Sequence, residues 1–366
     1  MKKVLILVID GCAPEYLTKE TAPAIYRLAA EPGSFAKTAQ GAVPTVTNVN
    51  HACILSGCFP EDTHVVGNYY YRPETGEQGF IEARGFMKAP TILEKYQAAG
   101  KTTALLTVKG KILEVFGNGV DLGISVQDPD EKLLSKLGLP MPPEVQSPGS
   151  SQWIFQAAYQ CIEKESPDLV YCTTNDFVMH HYGPKTPQAR EQIQALDEAV
   201  SRIHDLEPER EIYITADHGM NQKTTLINLQ AIADQAGFHM VCVPPLKDRY
   251  IENHIYQEGG ILYLYLREPS EESAILELVS SQEAVEQVLP AKEAAELYHL
   301  PENEIGDYVA FAAQDHAFGE VENFILHTDQ VRTHGSLYER TVPLIAINSG
   351  AAADQYQYSK DIVHYL

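Results

Sequence analysis

Short apolar runs that end in polar residues recur along the chain. They are "KVLILVID" (residues 3–10), "TTALLTV" (102–108), "PDLVYCTTND" (167–176) and "EIYITADHG" (211–219). Continuous apolar runs rich in β-branched residues are typical of strands that are buried on both faces, as in a parallel sheet. We therefore predict a buried strand in each of these four runs.

Helical patterns lie between the predicted strands. In residues 186–206 the apolar residues recur at steps of three and four, with Thr186 as a cap and Pro187 as the first helical residue. Residues 151–165 show the same period. Strands that alternate with helices predict an α/β fold with a mostly parallel central sheet flanked by helices. In such folds ligands bind at the carboxyl ends of the strands.

The pattern changes after about residue 222. The stretch "GGILYLYLREPSEESAILELVSSQEAVEQVLP" (259–290) predicts a strand followed by acidic helical segments, and "VPLIAINSG" (342–350) returns to the earlier pattern. We therefore predict a catalytic core formed by residues 1–221 and 301–366. Residues 222–300 would form a smaller inserted α+β cap.

The net charge of the chain restricts the classes of partner that it can bind. The 366 residues carry a formal charge of −23, which excludes nucleic acid polymers and anionic membranes as partners because both require a basic surface. No segment approaches the ~20 apolar residues of a membrane span. A small anionic substrate would therefore have to be attracted by local cations, either metal ions or a few lysines.

The start of the chain and the cysteines bear on the compartment. "MKKVLILVIDG" resembles a signal peptide, but Asp10 interrupts the apolar run, and we interpret the run as a first strand. The six cysteines form no CxxC pair and are expected to be reduced. We therefore expect a cytoplasmic protein, and a homodimer is left open.

Carboxylates and imidazoles follow several of the predicted strands. A single Asp after a strand is most often a cap or turn residue, and a single His is most often a packed or surface residue. Six such side chains at one sheet edge would instead suit Zn²⁺ or a similar divalent ion, and would suffice for two ions with three ligands each. These candidates are Asp10, Asp176, His180, Asp217, His218 and His334.

Two further polar residues could act beside a metal centre. Thr47 comes directly before an apolar run, so we predict that it caps a helix and presents its hydroxyl where the helix dipole favours a phosphate. A hydroxyl becomes a competent nucleophile when a metal ion activates it. Asn68 could donate its amide to a phosphoryl oxygen, the alternative being an ordinary turn residue after Gly67.

Five motifs, in this order along the chain, resemble the alkaline phosphatase superfamily and most of all its nucleotide pyrophosphatase/phosphodiesterase branch. They are "LVIDG", "PTVTNVNH", "TTNDFVMHH", "TADHGM" and "THGSLYERTVPLI". The resemblance implies a threonine nucleophile between two zinc ions, although Mn²⁺ or Fe²⁺ would also accept these ligands. It implies one ion on Asp176, His180 and His334, a second on Asp10, Asp217, His218 and the Thr47 oxygen, and a phosphoryl oxygen on Asn68.

Within that branch, "VIDGCAPEYL", "GNYYY", "LLTVKGKIL" and "LPENEIGDYVAF" are most similar to the phosphonoacetate hydrolases. This resemblance implies hydrolysis of the C–P bond of phosphonoacetate through a phospho-threonine, with Lys109 and Lys111 contacting the substrate carboxylate. The alternative for the two lysines is a solvated turn. His51 in "NVNH" is instead similar to the nucleotide phosphodiesterases, and His181 is a second candidate ligand beside His180.

Other functions remain open at this point. The same site could hydrolyse a phosphodiester or a nucleotide, with Tyr69, Tyr70 and Tyr71 lining a slot for the base. It could also act as a phosphomonoesterase. A metal-binding protein without catalysis is the alternative from another class. Charge reversal at Lys111 would distinguish hydrolysis of phosphonoacetate from hydrolysis of a diester, because it should reduce turnover of the carboxylated phosphonate far more.

Overall fold

A computed structural model of the chain describes residues 2–248 and 259–366. The strands of these residues, in chain order, are β1 (Val4–Val8), β2 (Phe35–Gln40), β3 (Tyr69–Arg72), β4 (Glu77–Phe80), β5 (Thr103–Thr107), β6 (Leu122–Ser125), β7 (Leu169–Thr173), β8 (Glu211–Thr215), β9 (Asn221–Ile227), β10 (Met240–Val243), β11 (Ile261–Leu266), β12 (Val285–Pro290), β13 (Tyr308–Ala312), β14 (His316–Phe318), β15 (Ile325–Thr333) and β16 (Thr341–Ile347).

The helices of the same residues are α1 (Pro23–Leu28), α2 (Thr47–Ser56), α3 (Pro60–Thr63), α4 (Ile92–Ala98), α5 (Gly110–Phe116), α6 (Glu131–Leu137), α7 (Pro148–Glu165), α8 (Phe177–His181), α9 (Pro187–Leu206), α10 (Leu229–Ala236), α11 (Glu272–Ser280) and α12 (Ala291–Tyr298). Within residues 2–248 and 259–366, none of them combines the length and the apolar composition that crossing a membrane would require.

The central sheet has seven strands in the order β2-β16-β8-β1-β7-β5-β6. β1 is parallel to β7 and β8, and β5 is parallel to β6 and β7. Every residue of β1, β5, β7 and β8 is buried, which explains why these four strands appear in the sequence as continuous apolar runs. β16, from the predicted strand at 342–350, joins the same sheet but runs antiparallel to β8 and β2. The predicted α/β fold with a mostly parallel sheet is confirmed.

The long helix α9 shows how local signals determine its start. The Thr186 hydroxyl accepts a hydrogen bond from the Ala189 N–H at 3.4 Å, and Pro187 is the first helical residue, as predicted. The apolar face of α9 packs on α7, which begins at Pro148, three residues before the predicted start. Both helices cover the central sheet.

Smaller sheets follow in the second half of the chain. β10, β11, β13 and β12 form a four-stranded antiparallel sheet, and β14, β9 and β15 form a three-stranded one. In residues 259–290 the predicted strand is β11, but the prediction that only helical segments follow it is wrong. Residues Val285–Pro290 form β12, because they pair with β13, a partner that the local pattern does not reveal. The cap limits of 222–300 stay a prediction.

Candidate metal centre and catalytic site

The sheet brings three aspartates to one edge. Asp10, Asp176 and Asp217 follow the carboxyl ends of β1, β7 and β8, which are neighbours in the order β8-β1-β7. All three side chains are buried, with Asp10 and Asp217 fully inaccessible to solvent. The carboxyl ends of parallel strands lie at the same edge of a sheet, so residues that directly follow neighbouring strands lie close together in space.

One group of possible metal ligands consists of Asp10, Asp217 and His218, whose ligand atoms lie within 4.8 Å of one another. The Nε2 atom of His218 is 3.5 Å from Asp10 Oδ1 and 3.3 Å from Asp217 Oδ2. The Gly11 N–H donates to the other oxygen of Asp217 at 3.2 Å. Asp10 Oδ1, Asp217 Oδ2 and His218 Nε2 are buried and have no hydrogen-bond partner among the described residues.

A second group consists of Asp176, His218 and His334, again within 4.8 Å. The ring of His334 stacks on that of His218, with 3.6 Å between the centroids and 10° between the planes. His180 lies beside this group, with its Nε2 atom 3.2 Å from Asp176 Oδ2. The structure thus brings all six predicted ligands together, and His218 belongs to both groups. The division of ligands between two ions stays a prediction.

Backbone carbonyls orient the three histidines. The Nδ1 atom of His218 donates to Gly219 O at 2.8 Å, that of His334 donates to Thr45 O at 2.7 Å, and that of His180 donates to Arg332 O at 2.7 Å. In the neutral rings of His218 and His334 the Nε2 atom therefore carries the lone pair, which is the form that a metal ion requires.

The adjacent histidine, His181, differs from these three. It is exposed, and its Nδ1 atom donates to Phe177 O at 2.8 Å. Asp176 is contacted by His180, in agreement with the Asp-x-x-x-His spacing along one turn of α8.

Burial perturbs the titration of the carboxylates. Burial, reinforced by the neighbouring charges of Asp176 and Asp217, raises the pKa of Asp10 to about 8. Burial likewise raises the pKa of Asp217 to about 6. Burial would also raise the pKa of Asp176, but Lys109 and His180 hold it well below its usual value. Three carboxylates thus share a buried space in which negative charge is poorly compensated.

The histidines complement this picture, because burial lowers the pKa of His218 and holds that of His334 well below its usual value. Neutral imidazoles, close carboxylates and buried ligand atoms without partners together fit one or more divalent cations.

Lys109 provides the positive charge inside this cluster. Its Nζ atom lies 2.8 Å from Asp10 Oδ2 and 2.9 Å from Asp176 Oδ1, and 14% of its side chain is exposed. Lys111 is almost fully buried and forms an ion pair with the carboxylate of Asp248. The alternative of a solvated turn is therefore wrong for both lysines. Nothing in the sequence around Asp248 predicted its contact with Lys111.

Thr47 begins α2, but it does not cap it. Val46 is the N-cap residue, and no side chain makes the capping hydrogen bond, so the predicted cap is wrong. Thr47 is itself the first helical residue. Its side chain is buried and, among the described residues, its hydroxyl takes part in no hydrogen bond. Two residues earlier, Thr45 O accepts from His334 Nδ1, which ties the start of α2 to the metal-ligand cluster.

Asn68 is held against the start of α2. Its Oδ1 atom accepts from the Asn48 N–H at 3.1 Å, and its Nδ2 atom donates to Leu246 O at 3.2 Å. One amide N–H is left for another acceptor. Asn68 is thus hydrogen-bonded to the residue that directly follows Thr47.

His51 lies deeper than the predicted ligands. It is fully buried, and its Nδ1 atom is 2.6 Å from the Tyr171 hydroxyl. Its Nε2 atom lies 3.5 Å from Thr173 Oγ1 and 4.0 Å from Asp217 Oδ2. It therefore supports the sheet beneath the cluster.

Comparison with known sequences gives a consistent result. The family model described as type I phosphodiesterase / nucleotide pyrophosphatase matches residues 4–336. A curated relative, an uncharacterized pyrophosphatase/phosphodiesterase from Schizosaccharomyces pombe, is 21% identical over 259 residues. That alignment covers 63% of this chain but only 49% of the relative, so the chain spans about half the length of that protein.

Solved structures agree with the fold. Phosphonoacetate hydrolase from Sinorhizobium meliloti 1021, in complex with phosphonoacetate, is 26% identical with a TM-score of 0.86, over 99% of this chain and 94% of that one. Its complex with phosphonoformate gives a TM-score of 0.85. Murine ectonucleotide pyrophosphatase / phosphodiesterase 5, solved as an inactive variant with AMP, is 15% identical with a TM-score of 0.71, over 100% of this chain and 93% of that one. At this identity the murine protein shows a shared fold alone.

Proposed function

The chain belongs to the type I phosphodiesterase / nucleotide pyrophosphatase family, and from this premise we propose that it hydrolyses phosphonoacetate to acetate and phosphate at a two-metal centre. The observation that carries the proposal is the pair of overlapping ligand groups beside Thr47, with buried atoms that lack partners. The 26% identity to a phosphonoacetate hydrolase over 99% of the chain supports the choice of substrate.

Six carboxylate and imidazole side chains and the Thr47 oxygen would hold the metal ions. Two divalent ions, Zn²⁺ by ligand type with Mn²⁺ or Fe²⁺ as alternatives, would supply positive charge for the phosphoryl oxygens and for the attacking hydroxyl. We assign the ligands as the family resemblance implies: Asp176, His180 and His334 for one ion, and Asp10, Asp217, His218 and the Thr47 oxygen for the other.

Thr47 is the proposed nucleophile. Its side chain is buried and, among the described residues, its hydroxyl has no hydrogen-bond partner, so no internal contact has to be broken before it attacks. The oxygen forms a bond to phosphorus as the C–P bond breaks, and the electron pair of that bond passes to the acetate carbon. The hydroxyl proton is lost to solvent, and the acetate carbanion gains a proton. Water then hydrolyses the phospho-threonine to phosphate and free threonine.

Asn68 would stabilise the transferred group. Its free amide N–H can donate to a phosphoryl oxygen, because the other N–H is already used by Leu246 O. The hydrogen bond from the Asn48 N–H to Asn68 Oδ1 fixes the orientation of the amide. Such a fixed donor costs little reorganisation when charge develops on the phosphoryl oxygens.

Lys109 and Lys111 would stabilise the leaving group. Negative charge grows on the departing acetate, whose carboxylate delocalises it as an enolate, and an interaction that strengthens with this charge accelerates the step. Both ammonium groups are largely removed from water, and away from water their attraction for a carboxylate is strong. Asp248, from the predicted cap (residues 222–300), would hold the ammonium of Lys111 in place.

A second candidate is a phosphodiesterase that uses the same metal centre. One observation favours it, because Asp248 already neutralises the charge of Lys111. Tyr70 and Tyr71, both predicted to line a base slot, line a cleft of 530 Å³ together with Arg72, but none of the candidate metal ligands lines that cleft. Tyr69 instead packs edge-on against Phe80 and does not line this cleft.

The test is phosphate release from phosphonoacetate by zinc-loaded protein, compared with hydrolysis of an aryl phosphodiester. We expect phosphonoacetate to have the higher kcat/KM by orders of magnitude. A preference for the diester would replace the proposed substrate and leave the metal centre in place. Zinc binding without hydrolysis of either compound would show a metal-binding protein and overturn the proposed enzyme.

A further inference from the structure

A buried ion pair lies behind the metal-ligand cluster. Lys223 in β9 and Glu339 before β16 are both inaccessible to solvent, and Lys223 Nζ lies 2.9 Å from Glu339 Oε1. Lys223 also donates to Gln314 O at 2.8 Å, and Asn221 Nδ2 donates to the same Glu339 oxygen at 2.8 Å. A buried pair of charges rarely adds net stability, because desolvating the ions costs about as much as their attraction returns. The pair therefore calls for a further explanation.

The second oxygen of Glu339 leads toward His334. Oε2 accepts from the Ser336 N–H at 2.9 Å and from the Ser336 hydroxyl at 2.5 Å. Ser336 O accepts from Thr45 Oγ1 at 2.8 Å, and Thr45 Oγ1 accepts from the Gly335 N–H at 2.9 Å. Thr45 O in turn receives the Nδ1–H of His334. The carboxylate thus fixes the turn that carries His334 and the carbonyl that orients its ring.

The backbone of Glu339 leads toward His218. Glu339 O accepts from the Gly219 N–H at 2.7 Å, and Gly219 O accepts from His218 Nδ1 at 2.8 Å. Glu339 is therefore connected to both stacked imidazoles. The connection to His218 runs through the Gly219 peptide, and the connection to His334 runs through the turn at Ser336 and through Thr45.

We infer that Glu339, paired with Lys223, is a positioning residue that sets the ring orientation and the Nδ1–H tautomer of His334 through its carboxylate and those of His218 through its backbone carbonyl. Ser336 and Glu339 also form the capping box of a short helical turn. The capping box alone does not require a buried lysine. A carboxylate that accepts hydrogen bonds at both of its oxygens does require a buried cation as its partner. The inference rests on the proposed metal centre but not on the substrate.

The test is Glu339→Gln, measured as zinc affinity in competition with a chromophoric chelator. The amide keeps the shape of Glu339, but its NH₂ group must face either the donors of Asn221 and Lys223 or those of Ser336. Loss of a partner that is hydrogen-bonded to a ligand costs about 10–100-fold in metal affinity, and Glu339 acts one contact further out, so a loss of about 10-fold is the expected result. Side-chain nitrogen NMR of the metal-free protein should also show the ring signals of His334 shifted, whereas those of His218 should change less, because Gln keeps the backbone carbonyl that leads to His218. Wild-type zinc affinity in Glu339→Gln would overturn the inference.

Glu211→Gln is the matched control. Glu211 is also buried, accepts from the Tyr213 hydroxyl at 3.0 Å and pairs with Lys2 at 3.4 Å, but it begins β8 at the end of the sheet remote from the ligands. This variant should keep wild-type zinc affinity even if it melts earlier. A loss equal to that of Glu339→Gln would mean that stability alone governs zinc binding.

A double variant covers the case in which Glu339→Gln does not fold. Lys223→Met combined with Glu339→Leu removes both charges and leaves neither unpaired, so the fold should be recovered. If Glu339 positions the histidines, zinc affinity should stay low in the folded double variant, and recovery of full affinity would refute the role. The readout also separates the two proposals. Zinc binding by a wild-type protein that hydrolyses neither substrate would refute the proposed function and leave this inference standing.

Discussion

Replacing Lys109 with methionine should destabilise the metal-free protein but enlarge the stabilisation that zinc provides. The Lys109 ammonium contacts Asp10 at 2.8 Å and Asp176 at 2.9 Å, and both carboxylates are proposed metal ligands. The ammonium therefore compensates the same negative charge that the metal ions would compensate. Without metal it is the cation nearest to these carboxylates, and with metal it is no longer needed for that purpose.

The size of the effect follows from burial. Removing one partner of a buried ion pair costs about 3–5 kcal/mol, since a charge is left uncompensated. The entropy of unfolding is about 2.1 cal/mol/K per residue, which gives roughly 0.8 kcal/mol/K for this chain. The metal-free variant should therefore melt about 4–6 °C below the metal-free wild type. Zinc should largely abolish the difference, so that the zinc-induced rise in Tm is larger in the variant by about the same amount.

The assay is thermal unfolding followed by circular dichroism, on chelator-treated and on zinc-loaded protein. Lys101→Met is the control, because the Lys101 ammonium pairs with Asp168 at 3.5 Å with 36% of its side chain exposed. Such a surface pair is worth less than about 1 kcal/mol, and its loss should have the same small effect with and without zinc. The reasoning is refuted if metal-free Lys109→Met melts with the wild type, or if zinc raises the Tm of both proteins equally.

Three further outcomes are expected. Thr47→Ala should abolish phosphonoacetate turnover, measured as phosphate release, because it removes the proposed nucleophile. It should keep the metal-free Tm, measured by melting curves, because the hydroxyl makes no internal hydrogen bond among the described residues. Retained turnover would exclude Thr47 as the nucleophile. The pair Lys111→Gln with Asp248→Asn, which leaves no buried charge unpaired, should lower kcat/KM for phosphonoacetate about 10-fold more than for an aryl phosphodiester. The attraction of an unpaired ammonium for a carboxylate at 4 Å would be about 4 kcal/mol, or roughly 1,000-fold, but Asp248 already offsets most of it. Equal losses for both substrates would show that the lysine has a structural role. Burial raises the pKa of Asp10 to about 8 and that of Asp217 to about 6, above the ordinary value of 3.8, so these two carboxylates give the metal-free fold stability that is lost as the pH rises to 8. The lowered pKa values of His218 and His334 act in the opposite direction, so the wild type is compared with Asp10→Asn by urea unfolding. The stability of the wild type relative to Asp10→Asn should fall from pH 5 to pH 8, and a difference that does not change with pH would contradict the assignment to Asp10.

The fold and the clustering of the candidate ligands could be predicted because each depends on short stretches of sequence. The four apolar runs are strands with every residue buried, and the polar residues that follow them lie at one sheet edge. The strand Val285–Pro290 was missed because its conformation depends on pairing with β13, where Leu289 lies opposite Val309. A local pattern of acidic and apolar residues does not distinguish such a strand from a helix.

What could not be predicted is the set of contacts that orient the site, and the reason is chemical as well as topological. The carboxylate partners of the buried lysines are remote: Asp248 is 137 residues from Lys111, and Glu339 is 116 residues from Lys223. Distance along the chain alone would still leave a residue-type signal at both ends. The histidines of the metal centre lack even that signal, because each donates its Nδ1–H to a backbone carbonyl, a group that every residue carries. The type of a possible metal ligand can thus be recognised from its side chain, whereas the tautomer and orientation of a histidine depend on where the fold places a backbone carbonyl. For this reason a motif search can find the six proposed ligands, but only three-dimensional packing reveals a residue such as Glu339, whose proposed role is exerted entirely through other residues.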